Sequence, residues 1–206
     1  DPRRFPAVFG PRNDGPLDGG VAALDTMVIR STEQIAVTGA AILSHTIVPG
    51  AFTGAMPFEF YHLLGVFFYI FLHGSWTHFL MNSVMLLAFG TGLERFVGGR
   101  RMVEIFFLCA LAGMAAHFII YPMSLTPVIG ASGGISGLFG AVLVVLNKNG
   151  MLGNTGKYGI WPFVILWIAI SVLFGLFGSG FAGGAEIAWV AHLGGFFAGI
   201  LAARRL

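Results

Sequence analysis

Two polar side chains in otherwise apolar segments have the chemistry of a nucleophile and its base. Ser132 lies in the glycine-rich segment VIGASGGISGLFG, residues 128–140, and His192 lies in AHLGGFFAG, residues 191–199. A serine hydroxyl becomes an effective nucleophile when a histidine within about 2.6 to 3.2 Å takes its proton during attack on a carbonyl. The pair therefore predicts acyl-transfer chemistry, provided that the fold brings the two side chains together.

The same chemistry needs hydrogen-bond donors for the negative charge that develops on the attacked carbonyl oxygen. His78 and Asn82 have i, i+4 spacing, which puts both side chains on one face of a helix. Ser132 lies near the expected start of a helix, where its own backbone N–H is free and the helix dipole favours negative charge. We therefore expect these donors to surround an oxyanion.

The composition places these residues in a membrane. The 206-residue chain is 56% hydrophobic, only 10% charged and has a mean hydropathy of +0.85, whereas a soluble domain carries about 25% charged residues. Apolar runs long enough to cross a hydrocarbon core of about 30 Å occur near residues 76–96, 102–121, 129–147, 160–178 and 187–203. The sequence thus predicts an all-α polytopic membrane protein.

The basic residues predict a sixth span. All eleven Lys and Arg fall into four clusters, which are Arg3, Arg4, Arg12 and Arg30; Arg95, Arg100 and Arg101; Lys148 and Lys157; Arg204 and Arg205. If the cytoplasmic segments carry the excess of basic residues, residue 75 lies outside, the C-terminus lies inside, and the N-terminus needs one more crossing. We place this first span near 34–48, followed by an interfacial segment at 49–75, with a span within 54–73 as the alternative. Either placement gives a six-transmembrane-helix bundle with both termini cytoplasmic.

Residues 1–33 combine Pro, Gly and Arg without a helical period, so we expect a mobile cytoplasmic tail before a membrane-embedded domain at 34–206. The tail lacks the continuous apolar core and cleavage site of a signal peptide. A bacterial inner (plasma) membrane is the simplest location. The net charge of +2 comes from loop residues, so no nucleic-acid surface is predicted, and the single Cys109 excludes an intrachain disulfide.

This topology brings the polar side chains to one layer of the membrane. The fourth and sixth spans enter from the outer side, which puts Ser132 at a depth of about 5 Å and His192 at about 8 Å, and His78 and Asn82 begin the second span from that same side. Small residues at helical spacing predict that the fourth and sixth spans approach closely, and these glycines are Gly133, Gly137 and Gly140 on the fourth and Gly195 and Gly199 on the sixth. A short hydrogen bond between Ser132 and His192 requires that approach.

Three segments now identify a family. GASGGISGLFG (130–140), HGSWTHFLMN (73–82) and AHLGGFFAG (191–199) on the fourth, second and sixth spans resemble the signatures of rhomboid intramembrane serine proteases, over roughly residues 58–206. The resemblance implies a six-helix bundle that needs no cofactor and cleaves membrane-anchored proteins within the lipid bilayer. By position, it puts the nucleophile on Ser132, the base on His192, and the oxyanion donors on His78, Asn82 and the Ser132 N–H.

Two positions depart from the family pattern. Some members have an aromatic residue four positions after the nucleophile, packed on the catalytic histidine, and Ser136 stands there. The Trp–Arg pair common in the family's first outer loop is also missing, so residues 49–72 resemble the family only loosely. A catalytically inactive relative that binds transmembrane segments therefore stays as the alternative function, and a small transporter or channel as a more distant one.

Several polar residues have simpler interpretations. His78 and His192 are not expected to bind a metal, since the sequence has no H-E-x-x-H motif and no carboxylate or thiol in the outer layer of those spans. His117 is expected to pack or hydrogen-bond near the site rather than to catalyse. Glu104 is expected to pair with a nearby arginine such as Arg101 or Arg95. Single-span membrane proteins are the expected substrates, and oligomeric state has no signature in the sequence.

Overall fold

The computed structural model describes residues 46–152, 158–177 and 188–205. Within these ranges the chain forms seven α-helices, one short 3₁₀ helix at Tyr69–Phe71 and no β-strand. The helices are α1 Pro49–Thr53, α2 His62–Phe68, α3 Trp76–Val97, α4 Gly99–Ile120, α5 Ser132–Lys148, α6 Trp161–Phe177 and α7 Trp189–Arg204. The predicted all-α class is confirmed for these ranges, and a helix lies at each of the five apolar runs.

The predicted first span near 34–48 lies mostly outside the described residues. Its last residues, 46–48, are not helical, and Ile47 instead forms an isolated antiparallel bridge with Val128. The alternative region at 54–73 contains α2 and the 3₁₀ helix, which together cover His62–Phe71 and are bent by 70° from α3. A helical stretch of that length rises about 15 Å, about half of the hydrocarbon core. The count of six spans stays a prediction.

The helices differ in their capacity to cross a bilayer. By length and composition, α4 can do so alone, and α3 can do so as a bent pair with His62–Phe71. The apolar helices α5, α7 and Trp161–Leu173 of α6 are shorter. A 17-residue helix such as α5 rises about 25 Å, which is less than a hydrocarbon core of about 30 Å. Compared with the hydropathy prediction, α5 begins three residues later, at Ser132, and α7 begins two residues later, three residues before His192.

Non-helical chain precedes α5, and backbone hydrogen bonds satisfy its polar groups. Val128 N–H donates to the Ile47 carbonyl at 2.7 Å, and Gly50 N–H donates to the Ser124 carbonyl at 2.8 Å. Irregular backbone at membrane depth is tolerated when protein groups satisfy it in this way. Residues 47–50, which include the start of α1, therefore hold the segment that leads into Ser132.

Helix α5 is the centre of the bundle and contacts α3, α4 and α7. The fully buried side chains around it come from all four helices, namely Leu93, Cys109, Leu138 and Phe196. Cys109 is a free thiol in this core. The helix that begins with Ser132 is thus enclosed on several sides by other helices.

Helices α5 and α7 meet through their backbones. A Cβ placed on Gly199 would overlap the Gly137 carbonyl, and one placed on Gly195 would overlap the Gly133 carbonyl. A Cβ on Gly140 would similarly overlap the Phe196 carbonyl. Backbone atoms in the middle of a packed helix cannot move aside as a flexible side chain can, so larger residues at these positions would force the helices apart.

We predict that Gly199→Ala destabilises the folded protein by about 1 to 3 kcal/mol, the usual cost of overpacking a core. Gly92→Ala on α3 is the matched control, because its Cβ would lie 3.8 Å from the nearest atom, a Cγ2 of Val142, at ordinary contact distance. That substitution should be neutral or slightly stabilising, since alanine is the better helix former. Thermal unfolding in detergent compares the two variants, and equal stability of both would contradict the close packing of α5 and α7.

Candidate active site

Ser132 is the first residue of α5, and the turn before it is anchored to two other elements. Gly130 has a φ of +105°, which a glycine adopts without strain. Its N–H donates to the Tyr69 carbonyl at 2.8 Å, while the Tyr69 hydroxyl donates to the Ala110 carbonyl at 2.8 Å. The 3₁₀ helix and α4 therefore fix the position at which α5 begins.

His192 lies in the first turn of α7 and contacts Ser132 directly. Its Nε2 is 2.8 Å from the Ser132 Oγ, and both side chains are half-buried. A neutral imidazole with its proton on Nδ1 has an acceptor at Nε2, so we assign the serine hydroxyl as the donor. This is the geometry that a general base needs to remove a proton from a hydroxyl nucleophile.

His78 and Asn82 lie beside the turn that precedes Ser132. The Ser75 Oγ accepts a hydrogen bond from the His78 N–H at 3.1 Å and so caps the start of α3. A Cβ on Gly130 would lie 2.9 Å from the His78 ring and 3.4 Å from the Asn82 Nδ2. Both side chains therefore pack against Gly130, two residues before Ser132.

Asn82 carries an unpaired donor. The residue is 8% exposed, and its Nδ2 is buried without a hydrogen-bond partner among the residues that the structure describes. Leaving such a buried amide donor unpaired costs about 1 to 3 kcal/mol. An unpaired donor at this cost is informative when it lies next to a Ser–His pair, because a reacting group could supply the missing acceptor.

Backbone N–H groups at the start of α5 are further hydrogen-bond donors. Ile135 N–H donates to the Ala131 carbonyl at 3.0 Å, which is the first hydrogen bond of α5. The N–H groups of Ser132 and Gly133 precede that bond and have no acceptor within the helix. Side-chain donors thus pack against Gly130, and backbone donors lie at the start of α5, which begins with Ser132.

Three residues near the site were not predicted as site residues. The His73 ring packs edge-to-face on His78 with ring centroids 5.0 Å apart, and its Nδ1 donates to the Phe71 carbonyl at 3.2 Å. Tyr69 and Gly130 hold the turn before α5, as described above. A glycine two residues before the serine was visible in the sequence, whereas the tertiary contacts of Tyr69 leave no local pattern.

Ser136 is buried within α5, and His117 lies near the end of α4. Ser136 is 2% exposed, one turn further along α5. The ring centroid of His117 is 5.2 Å from that of Tyr121, and His117 lines a cavity of about 260 Å³ near the start of α7. That position suits the expected packing role for His117, which stays a prediction.

Glu104 pairs with a nearby arginine as expected, but the partner is Arg100 and not one of the two arginines named from the sequence. Its Oε1 is 3.0 Å from the Arg100 Nε, rather than being paired with Arg101 or Arg95. Arg100 and Glu104 have i, i+4 spacing on α4, which brings their side chains together along one helix face. Within the described ranges, no group of three or more His, Cys, Asp and Glu side chains is arranged to hold a metal ion.

Comparisons with known proteins agree on one family. The Rhomboid domain model matches residues 59–206. The putative rhomboid protease YdcA of Bacillus subtilis is 32% identical over 133 residues, which is 64% of this chain and 61% of that protein. The rhomboid protease GluP of the same organism is 34% identical over 130 residues, which is 63% of this chain and 24% of that protein. Rhomboid-related protein 2 of Mus musculus is 31% identical over 136 residues, which is 64% of this chain and 44% of that protein.

No solved structure matches the chain significantly. The matched region spans between 24% and 61% of the length of those three relatives. The family model, in contrast, covers α2 to α7 and contains Ser132, His192, His78 and Asn82. The chain therefore belongs to the rhomboid family of integral membrane proteins.

Proposed function

We propose that this chain is an intramembrane serine endopeptidase in which Ser132 is the nucleophile and His192 the general base. The observation that carries the proposal is the 2.8 Å contact between the Ser132 Oγ and the His192 Nε2. The match to the Rhomboid domain supports the interpretation of this contact as part of a serine-protease site. The retention of both side chains in hydrogen-bond contact favours this function over that of an inactive relative that binds transmembrane segments.

The reaction follows from this geometry. His192 Nε2 takes the hydroxyl proton as Ser132 Oγ bonds to the carbonyl carbon of the scissile peptide. The resulting imidazolium gives that proton to the departing amine as the C–N bond breaks, which leaves an acyl-serine. A water then loses a proton to His192, attacks the acyl carbon and releases the new carboxyl group as Ser132 recovers its proton.

The developing oxyanion would be held by donors on two helices. The buried Asn82 Nδ2 is the first of these, because it has no protein acceptor among the described residues. His78 lies beside it against Gly130, and the Ser132 N–H is available at the start of α5. Fixed donors of this kind stabilise the transition state more than the ground state.

The membrane arrangement is part of the proposal. Residues 34–206 would form the six-helix membrane domain, and residues 1–33 and the C-terminus would face the cytoplasm, in line with the clusters of basic residues. Rhomboid proteases act on membrane proteins in a bilayer, and the bacterial relatives support a plasma-membrane location. We propose single-span membrane proteins as the substrates of this chain.

Removing either member of the pair should abolish proteolysis. We predict that Ser132→Ala and His192→Ala each lower kcat by about 10⁴-fold or more, because the two groups act as one unit. The measurement is cleavage of a panel of single-span substrates in detergent or liposomes. Ser83→Ala is the serine control and should retain most of the activity, because the Ser83 hydroxyl bonds to the Phe79 carbonyl of its own helix. Substantial turnover by Ser132→Ala would overturn the nucleophile assignment.

Removing one oxyanion donor should have a graded effect. We predict that Asn82→Ala lowers kcat by about 10² to 10³ with little change in KM, because the donor acts on charge that exists only in the transition state. His78→Ala should behave similarly, with some loss of stability. Ser83→Ala is the control, since the Ser83 hydroxyl bonds to the Phe79 carbonyl of its own helix. A raised KM with kcat intact would instead assign Asn82 to substrate binding.

The turn at Gly130 should control the positions of the His78 and Asn82 side chains. Gly130→Ala would place a Cβ 2.9 Å from the His78 ring, so we predict a fall in kcat comparable to that of His78→Ala. The control is Gly54→Ala, because Gly54 has a similar φ of +84° but open space around its Cβ position. Gly54→Ala should show the backbone strain as lost stability, with kcat unchanged. Equal kcat values for the two variants would contradict this role of Gly130.

A further inference from the structure

A groove separates α4 from α7 at the ends opposite to Ser132 and His192. It has a volume of about 610 Å³. Its walls are apolar, with Ile105, Leu108 and Ala112 on α4 and Ala198 and Leu201 on α7. We call this region the α4–α7 groove. None of the candidate site residues lines it, so its chemistry is separate from that of the Ser–His pair.

The charge of the groove is concentrated at one end. Arg101 in the first turn of α4 and Arg204 and Arg205 at the end of α7 line that end, and all three side chains are exposed. Glu104 also lines it but pairs with Arg100 at 3.0 Å. Within the described ranges, no carboxylate forms an ion pair with any of the three groove arginines. The end of the groove is therefore positively charged.

The dimensions match one leaflet of a bilayer. The distance along α4 from Arg101 to Ala112 is about 16 Å at 1.5 Å per residue, close to half of a hydrocarbon core of about 30 Å. Leu108 and Leu201 are 55% and 59% exposed on the open side of the groove. An apolar channel of one-leaflet depth with a cationic end complements a molecule that has a long apolar tail and an anionic head.

We propose that the α4–α7 groove binds an anionic phospholipid. The headgroup phosphate would contact Arg101, Arg204 and Arg205, and one acyl chain would lie along Leu108, Ala198 and Leu201. Basic pockets between membrane helices are suited to anionic headgroups, and each basic side chain near the membrane surface contributes about 1 kcal/mol of attraction. The lipid would join α4 to α7, the helix that carries His192. This site is independent of the proposed catalytic function.

The test measures lipid binding rather than proteolysis. The full chain in detergent is titrated with phosphatidylglycerol or phosphatidylcholine, and native mass spectrometry counts the lipids retained. We expect one phosphatidylglycerol to be retained in preference to phosphatidylcholine. Inorganic phosphate should not displace it, because the acyl chain contributes to binding. Equal retention of the two lipids would overturn the proposal, since charge would then play no part.

Two pairs of variants locate the site. Arg101→Gln should weaken phosphatidylglycerol binding about fivefold, whereas Arg95→Gln removes the same charge from α3, outside the groove, and should change it less than twofold. Ala198→Phe fills the groove and should abolish selective binding, whereas Leu87→Phe on the exposed face of α3 should not. The arginine pair leaves the apolar packing unchanged and is decisive if Ala198→Phe fails to fold.

Binding of a second copy of the chain in the groove would give a different result. If Ala198→Phe converts a dimer into a monomer and phosphatidylglycerol binding is unaffected, a second copy of the chain occupies the groove and the lipid proposal is wrong. Unchanged lipid affinity in both Arg101→Gln and Ala198→Phe would equally overturn it. Loss of selective binding in both, with the two controls intact, would establish the site.

Discussion

The candidate site depends on the backbone contact between α5 and α7. Ser132 begins one helix and His192 lies in the first turn of the other, so a 2.8 Å contact between their side chains requires the two helix starts to lie close together. Glycines supply that closeness, since a side chain at Gly195 or Gly199 would overlap the backbone of α5. In a membrane, where lipid is as apolar as leucine, small residues and close packing take over the role that hydrophobic burial has in water.

A second constraint is the short non-helical chain before α5. Bonds from Ile47, Gly50 and Tyr69 hold it, and the positive φ of Gly130 turns it past His78 and Asn82. Because all of these contacts converge within a few residues of Ser132, the helix start, Ser132 and the candidate donors are positioned together. Glycine packing therefore sets the distance between the two helices, and the preceding turn sets where the candidate site lies along them.

Hydropathy predicted where the five long helices lie, because an apolar run is a local property of the chain. The residue types of Ser132, His192, His78 and Asn82 could likewise be selected from the sequence, since polar groups in apolar spans are costly. Contacts that depend on tertiary packing could not be found in this way. The Tyr69 hydroxyl, for example, donates to a carbonyl 41 residues away. The pair of Arg100 and Glu104, in contrast, has i, i+4 spacing and could have been selected from the sequence.

The close packing of α5 and α7 places His192 against Ser132, and we propose that His192 thereby activates the Ser132 hydroxyl as a nucleophile. The most direct measurement is labelling of the folded protein with a serine-directed fluorophosphonate, followed by mass spectrometry to locate the adduct. We expect an adduct on Ser132 in the unmodified chain and a loss of that adduct in His192→Ala. An adduct on a different serine, or equal labelling of Ser132 with and without His192, would contradict it.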